Sequence, residues 1–272
     1  MYLQYWKLEQ LPFENTANPK FFFNSKQHEE ALSRLHYVVD NRKGATMLTG
    51  VFGCGKTLLA RRLFNELKHQ NYEIAIINNP QLKAIELLRS IARNLGNKEL
   101  PFKFSDMSAD YFLEVIENTL INNAKDGRRT LLIVDEAHVI TELEVLEELR
   151  LLLNFQLDEE FLLTLVLMGQ PELQDKVAKT KQLLQRIALS YHIGPLSEAE
   201  TDAYVSHRLT VSGAKARIFA PEAVRTIHKM SGGIPRRINH ICDLCLFVGA
   251  SAKAPSVNGQ VAQEAVASFE VH

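Results

Sequence analysis

The stretch Gly50-Val51-Phe52-Gly53-Cys54-Gly55-Lys56-Thr57 constrains this chain more than any other, because it fits the spacing G-x-x-x-x-G-K-[ST] of a phosphate-binding loop. Its flanks give the motif its weight. Ala45 to Thr49 reads as a short buried strand, and Leu58 to Lys68 has helical spacing, so the loop falls where a strand feeds a helix N-terminus. Glycines at 50, 53 and 55 let the backbone curl until successive N–H groups face an anion, and the positive end of the following helix adds to that field. A nucleoside triphosphate is the ligand this chemistry takes: the backbone from Gly50 through Leu58 wraps the phosphates, Lys56 reaches the β- and γ-phosphates, and Thr57 sets its hydroxyl on Mg²⁺.

A chain of 272 residues is long enough for one α/β domain and a smaller appendage. A formal net charge of −1 means that binding to nucleic acid or acidic lipid must be local, since no global field drives it. The first ten residues carry Tyr5, Trp6, Lys7 and Glu9, which does not suit a secretory leader, and no apolar run is long enough to span a bilayer. Three cysteines, one of them in the loop, do not make a disulfide framework, so the expected setting is reducing and cytoplasmic.

A second chemical feature follows the run Leu131-Leu132-Ile133-Val134. It ends in Asp135-Glu136, which describes a central strand whose carboxyl end opens at the nucleotide site. Asp135 is expected to hold hydrated Mg²⁺, and Glu136 to orient and deprotonate the attacking water. Further strands are expected at Tyr72 to Asn78, Phe161 to Met168 and Ile187 to Ile193. The fourth ends at Gly169-Gln170-Pro171, so Gln170 lands near the same strand ends and either helps hold the water or serves only the turn. Helices are expected from Ser25 to Asn41, Gln81 to Leu95, Ala109 to Ala124, Glu142 to Gln156 and, briefly, Gln182 to Arg186, with a surface excursion around Leu100 to Met107. Strands alternating with helices give a five-stranded parallel sheet between helical layers over residues 1–195. Residues 1–24, rich in aromatics, are expected to pack on that body, some rings walling an adenine pocket or simply filling space.

After Gly194-Pro195 the strands stop. Ser197-Glu198-Ala199-Glu200 is a capping box, and helices starting there, at Pro221, at Pro235 and at Asn258 make residues 196–272 an all-helical lid domain. His240, Cys242 and Cys245 invite a metal reading. On a helix, however, residue 240 points away from the face shared by 242 and 245, so the cysteines read as lid core.

Taken in order, the phosphate loop, the Asp-Glu strand, Gln185-Arg186-Ile187 and Gly232-Gly233-Ile234-Pro235-Arg236-Arg237-Ile238-Asn239 resemble the AAA+ ATPases, a P-loop NTPase family, and within it the general secretion pathway protein A type. Asp135-Glu136-Ala137-His138, Gly169-Gln170-Pro171-Glu172-Leu173 and Tyr191-His192-Ile193-Gly194-Pro195 belong to the same resemblance. It implies ATP and Mg²⁺ as cofactors, ATP hydrolysis, and a homo-oligomer, ring or helical, in which Arg186 is an arginine finger entering a neighbour's site. It also implies that Arg236, or less readily Arg237, senses the γ-phosphate in cis, and that Asn79 or Asn78 holds Glu136 off line. The implied task is assembly or remodelling of a cell-envelope machine of the secretion or type IV pilus kind. The alternatives are a DNA-associated regulator, or a ring or filament scaffold that hydrolyses slowly. Family members often continue into a membrane span and a cell-wall-binding domain. This sequence carries neither, so the expectation is a free-standing cytoplasmic relative or one held at the inner membrane by a partner.

Overall fold

A computed structural model describes residues 2–16, 18–97, 108–157 and 159–269. The surface excursion expected near 100–107 lies outside the described residues. The chain divides into two compact units, one made of Met1–Gln27, Phe52–Leu58 and Gly194–His272, the other of His28–Val51 and Leu59–Ile193.

The second unit is built on a five-stranded parallel sheet in the order β2-β3-β6-β1-β7. Its strands are β1 (Ala45–Gly50), β2 (Tyr72–Ile77), β3 (Arg129–Val134), β6 (Leu163–Gly169) and β7 (Ile187–Ile193). Every residue of β1 and β6 is buried, and so is all of β3 past Arg129. Strands covered on both faces favour apolar residues at successive positions, which is why β3 and β6 are near-continuous Leu/Ile/Val runs and not alternating patterns. One face meets α4 (Ala84–Asn94), α5 (Ala109–Lys125) and α6 (Leu143–Leu152) through Leu87, Ile91, Phe112, Ile116, Leu146 and Leu149. Elsewhere α2 (Lys26–Asp40) buries Leu35, Val38 and Val39, and α3 (Lys56–Leu67) buries Leu59, Leu63 and Leu67, each at helical spacing.

Three departures from the sequence reading have physical causes. The helix expected to reach Gln156 stops at Leu152, and the chain forms a small antiparallel hairpin, β4 (Gln156–Leu157) with β5 (Glu160–Phe161), before β6. An unexpected helix, α7 (Glu172–Lys179), follows Pro171; it buries only Leu173 and Val177 among charged neighbours, which leaves little apolar stripe to read. The short helix α8 (Lys181–Leu184) starts a residue early. The third departure concerns residues 1–24.

Those residues were expected on the α/β body, yet their rings lie in the core of the helical unit. Trp6, Leu8 and Phe13 are buried among side chains of α9 (Glu198–Val211), α10 (Pro221–Ser231), α11 (Pro235–Ser251) and α12 (Gly259–Phe269). The segment begins with a short helix, α1 (Tyr2–Trp6), and the Trp6 indole donates to Leu246 O at 2.8 Å. Aromatic content announces burial without saying against what. The decisive partner is Arg208, 5% exposed, which donates to Pro12 O at 2.6 Å, Glu14 O at 2.9 Å and the Tyr204 hydroxyl at 3.0 Å and lies 4.5 Å from the Phe21 ring centroid. The Tyr204 hydroxyl in turn donates to Asn239, whose amide donates to Asn15. The Ser197 capping box forms as read, with Glu200 N–H donating to Ser197 Oγ at 3.2 Å and Ser197 N–H to Glu200 at 3.0 Å.

Replacing Arg208 by Leu leaves the buried Pro12 carbonyl and the part-buried Glu14 carbonyl without their donor, at a cost of about 1–3 kcal/mol. Thermal melting should show that loss, and limited proteolysis should then begin within residues 1–24, which the native protein protects.

Candidate functional site

In the helical unit the loop Phe52–Leu58 opens α3, as the strand-loop-helix pattern requires. Gly53 and Gly55 hold φ of +84° and +102°, the region glycine enters freely. At Gly53 the need is also steric, because a side-chain carbon there would stand 2.6 Å from Arg236 Cβ. The amide of Arg236 donates to Gly53 O at 3.3 Å, and its guanidinium carbon lies 4.6 Å from the centroid of the exposed Phe52 ring. Arg236 is therefore the residue that approaches the loop; Arg237 donates its amide within its own helix, to Ile234 O. Lys56 is 5% exposed, with Nζ 4.0 Å from the buried Cys54 Sγ. Thr57 follows it in the first turn of α3.

In the α/β unit, register fixes which residues share an edge. β1 ends at Gly50 and β3 at Val134, with β6 between them: Val134 pairs with Leu167, and Leu167 with Met47. Asp135 and Gln170, just past β3 and β6, therefore leave the same carboxyl edge as Gly50. Asp135 is 2% exposed and its Oδ1 accepts the Glu136 N–H at 2.9 Å. Glu136 sits at φ +54°, a left-handed conformation uncommon for a residue with a side chain and worth about 1–3 kcal/mol of strain. Asn79 Oδ1 accepts from Gln81 N at 3.3 Å, closing the turn after β2, and both Asn78 and Asn79 are exposed.

Gln170 does not stand alone at this edge. Its Nε2 lies 2.8 Å from His138 Nε2, and His138 Nδ1 lies 3.3 Å from Glu136 Oε2. Sequence reading quoted His138 within the Asp-Glu-Ala-His run and gave it no role. A second polar cluster was also unforeseen: the buried Thr49 hydroxyl lies 3.1 Å from His192 Nδ1 and accepts from Gln174 at 3.3 Å.

Arg186 is placed apart from all of these. It precedes β7, whose Ile187 pairs with Ala45 and whose Ile193 pairs with Gly50, so it lies at the amino edge of the sheet. With a strand rise of ~3.3 Å per residue, it is about 20 Å from the carboxyl edge. There it donates to Asn154 at 3.1 Å and lies 5.6 Å from the Phe161 ring centroid.

The AAA domain family matches residues 39–177, about half of the chain, from before β1 through most of α7. This chain belongs to the AAA family. Among curated proteins, general secretion pathway protein A of Aeromonas hydrophila is 41% identical over 275 residues, covering 100% of this chain and 48% of that protein. The chain thus spans about half the length of that relative. An HTH-type transcriptional regulator of Methanocaldococcus jannaschii is 24% identical over 97% of this chain and 74% of its own length. Among solved structures, the Aeropyrum pernix ORC2 protein with ADPNP and ADP superposes with TM-score 0.67 at 17% identity, over 92% of this chain and 71% of that one. The Thermotoga maritima RuvB branch migration motor gives 0.60 at 17%, over 94% and 72%. The fold is that of the AAA+ P-loop NTPases, a parallel five-stranded sheet flanked by helices with an all-helical C-terminal part. AAA+ ATPases as a class bind nucleotide.

Cys242 and Cys245 both lie in the core of the helical unit. Burial pushes the Cys245 thiol up to about 12 and the Cys242 thiol well above its ordinary value. Thiols held protonated and covered do not react. A disulfide reagent at pH 8, with labelled sites located by mass spectrometry, should leave both unmodified in the native protein and modify both after denaturation; rapid native labelling would show that the helical core is open.

Proposed function

We propose that this AAA family member is a Mg²⁺-dependent ATP hydrolase that assembles with copies of itself around ATP and couples the nucleotide cycle to building or remodelling a cell-envelope machine of the secretion or pilus kind. The observation that carries the reading is the sheet register. Gly50, Asp135 and Gln170 leave one edge, and Arg186 stands at the other.

In this reading the loop from Gly50 through Leu58 holds the phosphates by backbone N–H groups, with Lys56 on the β- and γ-oxygens. A hydroxyl from Thr57 and a carboxylate from Asp135 are hard oxygen donors that would hold Mg²⁺, which would offset the negative charge of the phosphates. Glu136 takes a proton from the attacking water as general base, Gln170 assists beside it at the same strand edge, and Arg236 reads the γ-phosphate from the lid. Arg186 lies too far along β7 to serve the carboxyl edge of its own sheet, which supports action in trans, as an arginine finger on a neighbour's nucleotide. Asn79 or Asn78, both exposed after β2, would hold Glu136 off line.

The envelope task rests on likeness to general secretion pathway protein A, and the cytoplasmic setting with it. Among the described residues no helix is long and apolar enough to cross a membrane. A DNA-associated role is the second reading, favoured by neighbours described as a branch migration motor and as an ORC1 protein in complex with DNA. Against it, the basic pairs that would serve DNA are engaged internally. Arg128 pairs with Glu73 and Asp126, Arg129 donates to Asp40 O and Tyr72, and Arg62 pairs with Glu66.

Glu136→Gln should abolish ATP turnover while leaving ATP binding intact; turnover at the native rate would refute the mechanism. Arg186→Ala should lower the rate by about 10³-fold or more. Mixing it with Lys56→Ala subunits should restore part of the activity, and no restoration would argue against a finger acting in trans. ATPase activity should be indifferent to added DNA, whereas stimulation that falls steeply with salt would favour the second reading. Slow hydrolysis beside ATP-dependent assembly would favour the scaffold.

A further inference from the structure

The turn that carries Glu136 is unusually constrained, and one side chain in it is unexplained by the reading above. After Glu136 the chain makes a single 3-10 turn, Ala137–Val139, closed by Val139 N–H donating to Glu136 O at 2.9 Å. Lys176 of α7 clamps it, its ammonium donating to Ile140 O at 2.6 Å and to His138 O. The end of β6 comes close because Gly169 has no side chain: a carbon there would meet His138 N at 3.1 Å and Leu173 at 3.0 Å. Between this clamp and the strand end lies the imidazole of His138, 15% exposed.

Its two nitrogens have different surroundings. Nε2 is 2.8 Å from Gln170 Nε2, an amide nitrogen that can only donate, so the ring nitrogen there must accept. The neutral ring then carries its proton on Nδ1. Among the described residues that buried atom has no hydrogen-bond partner; Glu136 Oε2 lies 3.3 Å away without forming a hydrogen bond to it. A buried N–H without a partner costs about 1–3 kcal/mol, and a modest rotation of the Glu136 side chain removes that cost.

We propose that His138 is a positioning residue that connects Gln170 to Glu136: the amide fixes the imidazole tautomer, and the Nδ1–H thereby presented orients the Glu136 carboxylate toward the attacking water. Gln170 then acts on the acid through His138 and not by holding water itself. The inference rests on the hydrolase reading above and assigns it one more residue. It also accounts for the strained backbone at Glu136, since left-handed φ brings the carboxylate back over the turn to the residue two positions on.

The test is a set of steady-state ATPase measurements on the full chain with Mg²⁺. His138→Ala should lower kcat by about ten- to hundred-fold, the usual cost of removing a group that orients a reactive one, with KM for ATP within about twofold of native. His138→Asn, which keeps a donor near the Nδ1 position, should recover most of kcat; His138→Gln, whose amide reaches the Nε2 position, should not. Gln170→Ala should cost less than His138→Ala, and the double variant no more than His138→Ala alone, because both act through one bond path. Native kcat in His138→Ala, equal losses in the Asn and Ala variants, or multiplicative losses in the double variant would each overturn the proposal while leaving the hydrolase reading in place. Absence of hydrolysis by the native chain, or its survival in Glu136→Gln, would overturn both together.

Discussion

Parallel pairing of β1, β6 and β3 is the constraint on which the rest depends. All strands in such a sheet run the same way, so they deliver their carboxyl ends to a common edge and their amino ends to the opposite one. Gly50, Asp135 and Gln170 are far apart in sequence and share an edge for that reason alone. The same geometry carries Arg186 to the other edge. In the proposed function, a chemistry that needs both a water-activating carboxylate and a positive charge on the γ-phosphate is thereby divided between one copy of the chain and the next. What holds the pairing is burial on both faces: among the described residues β1 and β6 expose nothing beyond the buried range, and a slip in register would move charged strand-end residues into the core.

That burial also explains what could be read in advance. Leu131 to Val134 and Leu163 to Met168 admit no polar residue except Thr164, so the strands were visible without a structure, and the loop between β1 and α3 was visible from its glycines and Lys56. The capping box at Ser197 was legible because its two hydrogen bonds are local. The failures share a cause. Residues 1–24 were read as buried, correctly for Trp6 and Phe13, but the identity of their partners depends on Arg208, a charged residue within a helix that sequence alone places in solvent. The α7 helix and the β4-β5 hairpin bury too little to leave a periodic signal.

The same limit applies at the candidate site. The groups proposed to meet phosphate, metal or water were named from local motifs or from the family resemblance those motifs carry. The groups that orient those side chains were not. His138 meets Gln170 only because β3 and β6 are neighbours in the sheet, and Thr49 meets His192 and Gln174 for the same kind of reason. Orientation in this fold is supplied across strands, and no spacing along one strand encodes it.

The most direct measurement of the central claim is an experimental structure of the assembled chain with Mg²⁺ and a non-hydrolysable ATP analogue. It should show the triphosphate along residues 50–58, with Asp135 and Glu136 of the same subunit and Arg186 of the adjacent one converging on the γ-phosphate. Nucleotide bound elsewhere, or every Arg186 remaining against Asn154 and Phe161 at an interface without phosphate, would contradict it.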